Sequence, residues 1–90
     1  MTKAEVVAQI AKKTGIEKVA IQATIEEFMN VVKDSLSEGE NVYLRGFGTF
    51  EIKHRAAKTG RNISKNTAID IPAHNIPKFK PSKEFFKMVK

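Results

Sequence analysis

The sequence NVYLRGFGTFEI at residues 41–52 decides the fold, because the spacing of apolar residues changes there. Residues 42–44 are of types that favour strands, and Gly46 suits a turn. Phe50 and Ile52 then alternate with polar residues, as in a strand with one buried face. The stretch therefore predicts a β-hairpin in the middle of the chain.

Two helices are predicted before this hairpin. Thr2 and Glu5 have the spacing of a capping box and Gly15 provides a C-terminal stop, so we expect the first helix at about residues 3–13. A second helix is expected before Gly39, where apolar residues recur every three or four positions. These residues are Ile21, Ile25, Phe28, Val32 and Leu36. Their apolar surface is larger than the short first helix can cover, so another layer must cover the remainder.

A third strand and a closing helix are predicted after the hairpin. The strand is expected at residues 68–73, with Pro72 favouring an edge or a strand end. Residues 81–89 predict a short helix with Ser82 as its N-cap. The element order is ααβββα. The predicted fold class is α+β, with a two-helix N-terminal hairpin, a three-stranded antiparallel sheet and a short C-terminal helix.

Length and composition limit the function further. Ninety residues make one small domain, and a domain of this size folds alone only marginally, so we expect it to oligomerise. The absence of cysteine excludes thiolate zinc sites and thiol nucleophiles and fits a reducing compartment. The longest apolar runs are three residues, so neither a membrane span nor a signal peptide is predicted. We therefore expect a cytoplasmic protein with no membrane partner.

Positive charge is concentrated in the second half of the chain. The net charge is +6, but residues 1–52 carry six basic and eight acidic side chains, whereas residues 53–90 carry ten basic and two acidic ones. No acidic residue lies between Lys53 and Ile69. Such a segment is either a solvated loop or a site for a polyanion, and nucleic acid is the polyanion that a basic segment most often binds.

One apolar residue in this basic segment favours the binding interpretation. Ile63 is the sole large aliphatic side chain between Ile52 and Ile69, and it follows Arg61 and Asn62. A single exposed isoleucine is ordinarily without function. Beside a cation and an amide, however, it has the chemistry of a wedge between stacked bases.

The whole chain resembles the bacterial histone-like HU and integration host factor family. The motifs that carry the resemblance are the Gly46–Phe50 run, the Thr59–Asn62 run, Ile71-Pro72, the Ile76–Lys80 segment and the closing basic helix. The resemblance implies an intertwined dimer whose β-ribbon arms clasp the minor groove of a DNA duplex. It divides the single domain into a dimerisation base and start of the sheet at 1–52, a DNA-binding arm at 53–75 and a C-terminal segment and helix at 76–90.

The resemblance also assigns site residues. Ile63 takes the place of the proline that usually forms the DNA wedge, and Lys65-Asn66 replace the usual threonine-glycine at the arm tip. The expected arm contacts are Lys53, Arg55, Lys58, Arg61, Asn62 and Lys65. The expected contacts of the body with the DNA backbone are Lys3, Lys80, Ser82 and Lys83. The expected dimer core is Phe28, Val32, Leu44, Phe47, Phe50 and Phe79.

These features predict a non-enzymatic, nucleoid-associated protein that binds and bends double-stranded DNA without sequence specificity and compacts it. It should prefer bent, nicked or flexible DNA and form a homodimer, or a heterodimer with a paralogue. His54 and His74 are 20 positions apart without cysteine nearby, so no metal site, cofactor or small-molecule substrate is expected. The alternatives are a site-specific DNA bender like integration host factor and a structural RNA-binding protein.

Overall fold

A computed structural model describes residues 1–62 and 67–90, and the side chains outside positions 61–69. The elements in these ranges are α1 (Lys3–Thr14), α2 (Lys18–Ser37), β1 (Val42–Leu44), β2 (Gly48–Arg55), β3 (Lys58–Asn62), β4 (Thr67–Ile71), β5 (His74–Pro81) and α3 (Lys83–Val89). The chain divides into two compact units, Met1–Ser35 and Leu36–Lys90. None of the described helices is long and apolar enough to cross a membrane.

The first unit contains the predicted helical hairpin. The Thr2 hydroxyl accepts a hydrogen bond from the Glu5 backbone N–H over 3.3 Å, which confirms the predicted N-cap. Gly15 ends α1 in the left-handed conformation with φ 76°, and its N–H donates to the Ala11 carbonyl over 2.9 Å. A side chain would strain this backbone, so glycine at this position fixes where the first helix ends.

The apolar stripe predicted on α2 is only partly buried. Ile21 and Val32 are buried, as is Val7 of α1, whereas Phe28 of the same stripe leaves 41% of its surface exposed. Val7, Ile21 and Val32 are the buried hydrophobic residues among the side chains that the structure describes. One copy of the chain therefore leaves much of its apolar surface uncovered.

The second unit is built on a three-stranded antiparallel sheet with the strand order β1-β2-β5. The hairpin predicted at residues 41–52 is confirmed as β1 and β2, with Val42 opposite Phe50. Gly48 of β2 lies directly under Phe79 and the β5 backbone. A Cβ atom at position 48 would lie 2.5 Å from the Lys80 carbonyl oxygen and 2.6 Å from Phe79 Cζ, so only glycine fits.

The strand predicted at residues 68–73 is present, but a further strand, β5, was not predicted. Residues 67–71 do form a strand, β4, but it pairs with β3 in a separate two-stranded sheet. The third strand of the main sheet is β5, so the element order is ααβββββα rather than ααβββα. Alternation of apolar residues reveals a strand but not its partner, and the prolines at 77 and 81 hid the strand character of β5.

Both prolines of β5 occupy positions where a strand tolerates them. The backbone N–H of Ile52 donates to the side-chain oxygen of Asn41, which precedes β1, over 3.1 Å, so it points away from β5. Ile52 and Pro77 are opposite each other and therefore form a non-hydrogen-bonded pair. Gly48 and Pro81 are opposite each other four residues further along the same two strands, so they also form a non-hydrogen-bonded pair. The missing N–H groups of both prolines thus face the open edge of the sheet, where no ladder hydrogen bond is lost.

Candidate nucleic-acid interface

The register of β2 and β5 separates a polar face of the sheet from an apolar one. Residues directly opposite in an antiparallel pair share a face, and neighbours along a strand alternate. One face therefore carries the pairs Thr49 and Lys80, Glu51 and Lys78, Lys53 and Ile76, and Arg55 and His74. We call these eight residues the polar sheet face. It holds four basic side chains against one carboxylate, so it attracts anions.

The opposite face carries an aromatic cluster. The Phe79 ring lies 4.9 Å from Phe50 and 5.0 Å from Phe47, measured between centroids. Phe85 of α3 stacks on Phe47 with a centroid distance of 5.4 Å. These spacings lie in the range of favourable aromatic pairs. Phe47, Phe50 and Phe79, three of the residues expected in the dimer core, thus pack together within one chain, and Phe85 joins them from the closing helix.

The electrostatic state of Lys53 shows how crowded the cations are on the polar sheet face. The Lys78 side chain beside it lowers the pKa of Lys53, the positive charge of Arg55 lowers it further, and Glu51 opposes the shift. An ammonium group has donors and no acceptor, so two lysines in contact disfavour each other's charged form. The two strands therefore hold these cations together at the base of the predicted arm.

A groove of about 430 Å³ opens where the turn after β1 meets the start of α3. Its lining includes Lys80, Ser82 and Lys83, three of the expected backbone contacts, together with Arg45 and Tyr43. Tyr43 is 74% exposed. The structure thus brings three of the four expected body contacts to one concave surface of the second unit.

Ser82 has a structural role in this groove. Its hydroxyl accepts a hydrogen bond from the Phe85 backbone N–H over 3.1 Å, which confirms it as the N-cap of α3. The same hydroxyl donates to the Gly46 carbonyl over 3.0 Å. Its single proton is therefore already used, and a phosphate would have to displace Gly46 to receive it.

The β3–β4 ribbon lies within the predicted arm residues 53–75. Lys58 at the start of β3 is exposed, and the Thr59 hydroxyl lies 3.5 Å from Asp70 Oδ1 across the ribbon. Arg61 and Asn62 are the last residues of β3, opposite Ala68 and Thr67. The predicted contact Lys65 and the predicted wedge Ile63 lie outside the described residues.

Lys3, the fourth expected body contact, lies in the first unit and already has a partner. Its Nζ lies 2.8 Å from Glu26 Oε1 in an exposed ion pair between α1 and α2. Hydrogen bonds from Lys3 and then Gln22 lower the pKa of Glu26, and the charge of Lys3 adds to the shift. A phosphate that binds Lys3 must therefore compete with this carboxylate.

Both histidines lie where the sheet passes into the ribbon. Nδ1 of His54 is 2.9 Å from Asn75 Oδ1, and Nδ1 of His74 is 3.0 Å from the Pro72 carbonyl oxygen. Each ring therefore has an ordinary hydrogen-bond partner. In the described part of the chain, no three His, Cys, Asp or Glu side chains come together as metal ligands would.

The residues expected in the dimer core fall into two groups. Val32 is buried within the chain, and Leu44, Phe50 and Phe79 are half-buried. The remaining two are more open, since Phe28 is 41% and Phe47 is 45% exposed. Large aromatic side chains left this open by one chain are candidates for cover by a second.

Residues near the groove and on the sheet face were missed by sequence reasoning, namely Lys78, Arg45 and Tyr43. The signal for Lys78 was present in residues 76–80, where Ile76 and Lys78 alternate with Pro77 and Phe79 in the period of a strand. The prolines at 77 and 81 obscured this alternation, so no strand was predicted there. With β5 in place, Lys78 lies on the same face as Lys53 and Lys80.

The whole chain is similar to known bacterial DNA-binding proteins. Residues 1–90 match the family model described as bacterial DNA-binding protein. The chain is 41% identical over 90 residues to the SPbeta prophage-derived DNA-binding protein HU 2 of Bacillus subtilis, covering 100% of this chain and 98% of that protein. It is 39% identical to integration host factor subunit beta of Marinobacter nauticus, covering 99% and 92%. The fold matches an Anabaena HU–DNA cocrystal structure with a TM-score of 0.91 and 35% identity, covering 99% and 97%.

Proposed function

The chain belongs to the bacterial DNA-binding protein family, and we propose that it binds duplex DNA through the minor groove, bends it and compacts it in the nucleoid. It is an architectural protein and not an enzyme. The observation that carries the proposal is the basic polar sheet face, on which Lys53 and Arg55 of β2 lie on the same side as Lys78 and Lys80 of β5. We place it in the bacterial cytoplasm, where the nucleoid lies.

Electrostatics accounts for affinity without sequence readout. Duplex DNA carries one phosphate charge per roughly 1.7 Å of its axis, and each phosphate that a cation neutralises releases condensed counterions. Residues 53–90 have ten basic side chains against two acidic ones, so this half of the chain gains affinity from any duplex. The minor groove distinguishes A·T from G·C pairs but carries little further sequence information. A weak preference among sequences follows.

We propose that the functional unit is a dimer with two arms. The exposure of Phe28 and Phe47 and the small number of buried apolar residues among the described side chains support this assembly. Small domains with incomplete cores are commonly stabilised by association. In a symmetric dimer both chains use the same surface, so the exposed apolar residues of one chain would pack against the equivalent surface of the other. A homodimer needs nothing beyond this chain, although a paralogue with the same patch would also fit.

The arm contacts and the wedge are proposed from the family pattern. Arg61, Asn62 and Lys65 would reach into the minor groove, and Ile63 would insert between two base pairs. Unstacking one step costs about a few kcal/mol, which burial of the isoleucine and the added phosphate contacts must offset. DNA that is already nicked, bent or flexible avoids part of this cost. The protein should therefore bind such DNA more tightly than a straight duplex.

A mobility-shift series with linear, nicked and cruciform duplexes of equal length tests the proposal. Each 1.4 kcal/mol of avoided distortion energy corresponds to a factor of ten in affinity. We therefore expect the affinity for the nicked and cruciform duplexes to be at least about ten times that for the linear duplex. Equal affinity for all three forms would contradict bending, and stronger binding to structured RNA would favour the RNA-binding alternative. Binding to one sequence several orders of magnitude above random duplex would favour a site-specific bender.

A further inference from the structure

We propose that Lys53 and Lys78 form a paired site for a single phosphate of the DNA backbone at the base of the arm. The inference rests on the proposed function and adds Lys78, which joins the contacts expected on the arm to those expected on the body. The occupant is the phosphate of duplex DNA, because the polar sheet face is cationic and ends at Arg55 and His74, the strand ends from which the chain passes to the ribbon.

The register places the two lysines side by side. Lys78 is opposite Glu51 on β5, and Lys53 is two residues further along β2 on the same face. Diagonal neighbours of this kind are about 7–8 Å apart at their backbones, a separation that long side chains easily bridge. Lys78 is exposed and Lys53 is half-buried, so their ammonium groups can meet on the solvent side of the sheet.

The carboxylate nearest to the two lysines is Glu51, which is opposite Lys78 on the polar sheet face. The close approach of Lys78 is the largest cause of the lowered pKa of Lys53, and Glu51 opposes it. Among the described residues no ion pair joins Glu51 to either lysine. Two cations held together in this way repel each other when the site is empty, and an anion between them turns that repulsion into two charge-assisted hydrogen bonds.

Continuity with the expected contacts identifies the anion. Lys78 lies two residues from Lys80 on β5, and Lys53 lies two residues from Arg55 on β2, all on the polar sheet face. Residues two apart along a strand are separated by roughly 6.8 Å. The pair therefore closes the gap between the groove beside α3 and the arm, and a DNA backbone that follows both must cross it.

The arrangement makes a prediction with opposite signs for binding and stability. Replacing Lys78 by Ala removes a phosphate contact, so affinity for duplex DNA should fall severalfold and the slope of log affinity against log salt should flatten by about one per chain. The same substitution removes the repulsion of Lys53 in the free protein, so Tm should stay level or rise. If Lys78 merely supported the sheet, its replacement by Ala would lower both the DNA affinity and Tm.

The experiment measures DNA binding of the full chain by fluorescence anisotropy at several salt concentrations, together with Tm without DNA. The variants are Lys53→Ala, Lys78→Ala and their combination, with Lys33→Ala on α2 as a matched exposed control. We expect the control to behave like the wild type. The double variant should lose less affinity than the product of the two single losses, because both side chains act on one phosphate.

Three results would overturn the pair. The first is that Lys78→Ala has the affinity and the salt slope of the wild type. The second is that the double variant loses affinity by the full product of the two single losses. The third is that Tm falls together with the DNA affinity. In each of these cases the wild type still binds DNA and the proposed function stands. A wild type that binds no duplex at low salt would remove the proposed function and the pair together.

Discussion

The Ser82 hydroxyl joins two separate elements, because it caps α3 through Phe85 and donates to the Gly46 carbonyl in the turn after β1. The turn and the helix lie on either side of the groove that holds Lys80 and Lys83. One side chain thus fixes both walls of the proposed phosphate-binding groove.

Substitution of Ser82 by Ala should therefore cost stability. Loss of an N-cap typically removes about 0.5–2 kcal/mol, and the Gly46 carbonyl also loses its donor. We expect a lower urea midpoint with an unchanged m-value. Ser82→Thr keeps both hydrogen bonds and serves as the control, whereas Ser82→Asp keeps the acceptor for Phe85 but cannot donate to Gly46. An alanine variant as stable as the threonine variant would contradict this role.

Gly48→Ala should destabilise the sheet. The added methyl group would overlap the Lys80 carbonyl and the Phe79 ring, and the β5 backbone cannot retreat without breaking its ladder with β2. Overpacking of this kind costs about 1–3 kcal/mol. Thermal unfolding measures the effect. Gly39→Asn is the comparison, since position 39 has open space around it and asparagine tolerates its left-handed backbone. Equal stability of the two variants would show that the close contact at Gly48 relaxes freely.

Glu26→Gln should change the acid dependence of stability. Because the pKa of Glu26 is lowered in the folded chain, the unfolded chain binds the extra proton first. The carboxylate therefore stabilises the fold above its ordinary pKa of about 4.3, and this contribution is lost as the pH falls towards the lowered value. The variant should have a slightly lower Tm than the wild type at pH 7, and the difference should shrink below pH 4. Glu27→Gln, one position along the helix, is the control, and a difference that persists in acid would rule out the ion pair as its source.

Ile63→Ala should reduce DNA bending more than DNA affinity at low salt. The phosphate contacts that dominate affinity remain, but alanine offers too little apolar surface to compensate for an unstacked base step. Fluorescence transfer between the two ends of a short duplex measures the bend. Ser64→Ala, at the adjacent position, should bend DNA as the wild type does. An undiminished bend with Ile63→Ala would remove the wedge assignment.

Phe28→Ala should weaken the dimer. A buried aromatic side chain at an interface commonly contributes more than 1 kcal/mol, and a symmetric dimer loses it twice, so we expect the dissociation constant to rise by at least about tenfold. Sedimentation equilibrium and the concentration dependence of Tm measure this. Lys33→Ala on the same helix is the control, because Lys33 is exposed and is not part of the apolar stripe. A wild type that sediments as a single chain would refute the dimer.

Local signals in the sequence were sufficient for the helices and the first hairpin. Thr2, Gly15 and Ser82 act within a few residues of their own position, so capping chemistry predicted where α1 ends and where α3 begins. The pairing of β5 with β2 joins residues between 19 and 33 positions apart, and no local pattern specifies such a partner. The alternation at 68–73 correctly identified a strand, whereas β5 and its pairing with β2 were not predicted for this reason.

The candidate site was predictable in composition but not in arrangement. Counting charges located the basic half of the chain, and the exposed Lys80 and Lys83, two of the expected contacts with the DNA backbone, line the groove. The contact between Lys53 and Lys78 depends on the register of two distant strands, so it became visible only with the fold. The competition of Glu26 for Lys3 likewise follows from the packing of α1 against α2.

The prolines of β5 matter most when many copies share one duplex. Neighbouring molecules would then bring exposed strand edges close together, and an edge with free N–H groups invites fusion of sheets into fibres. Pro77 and Pro81 present ring carbons to that edge in place of donors. Each proline therefore removes one donor through which a strand of a neighbouring molecule could pair with β5.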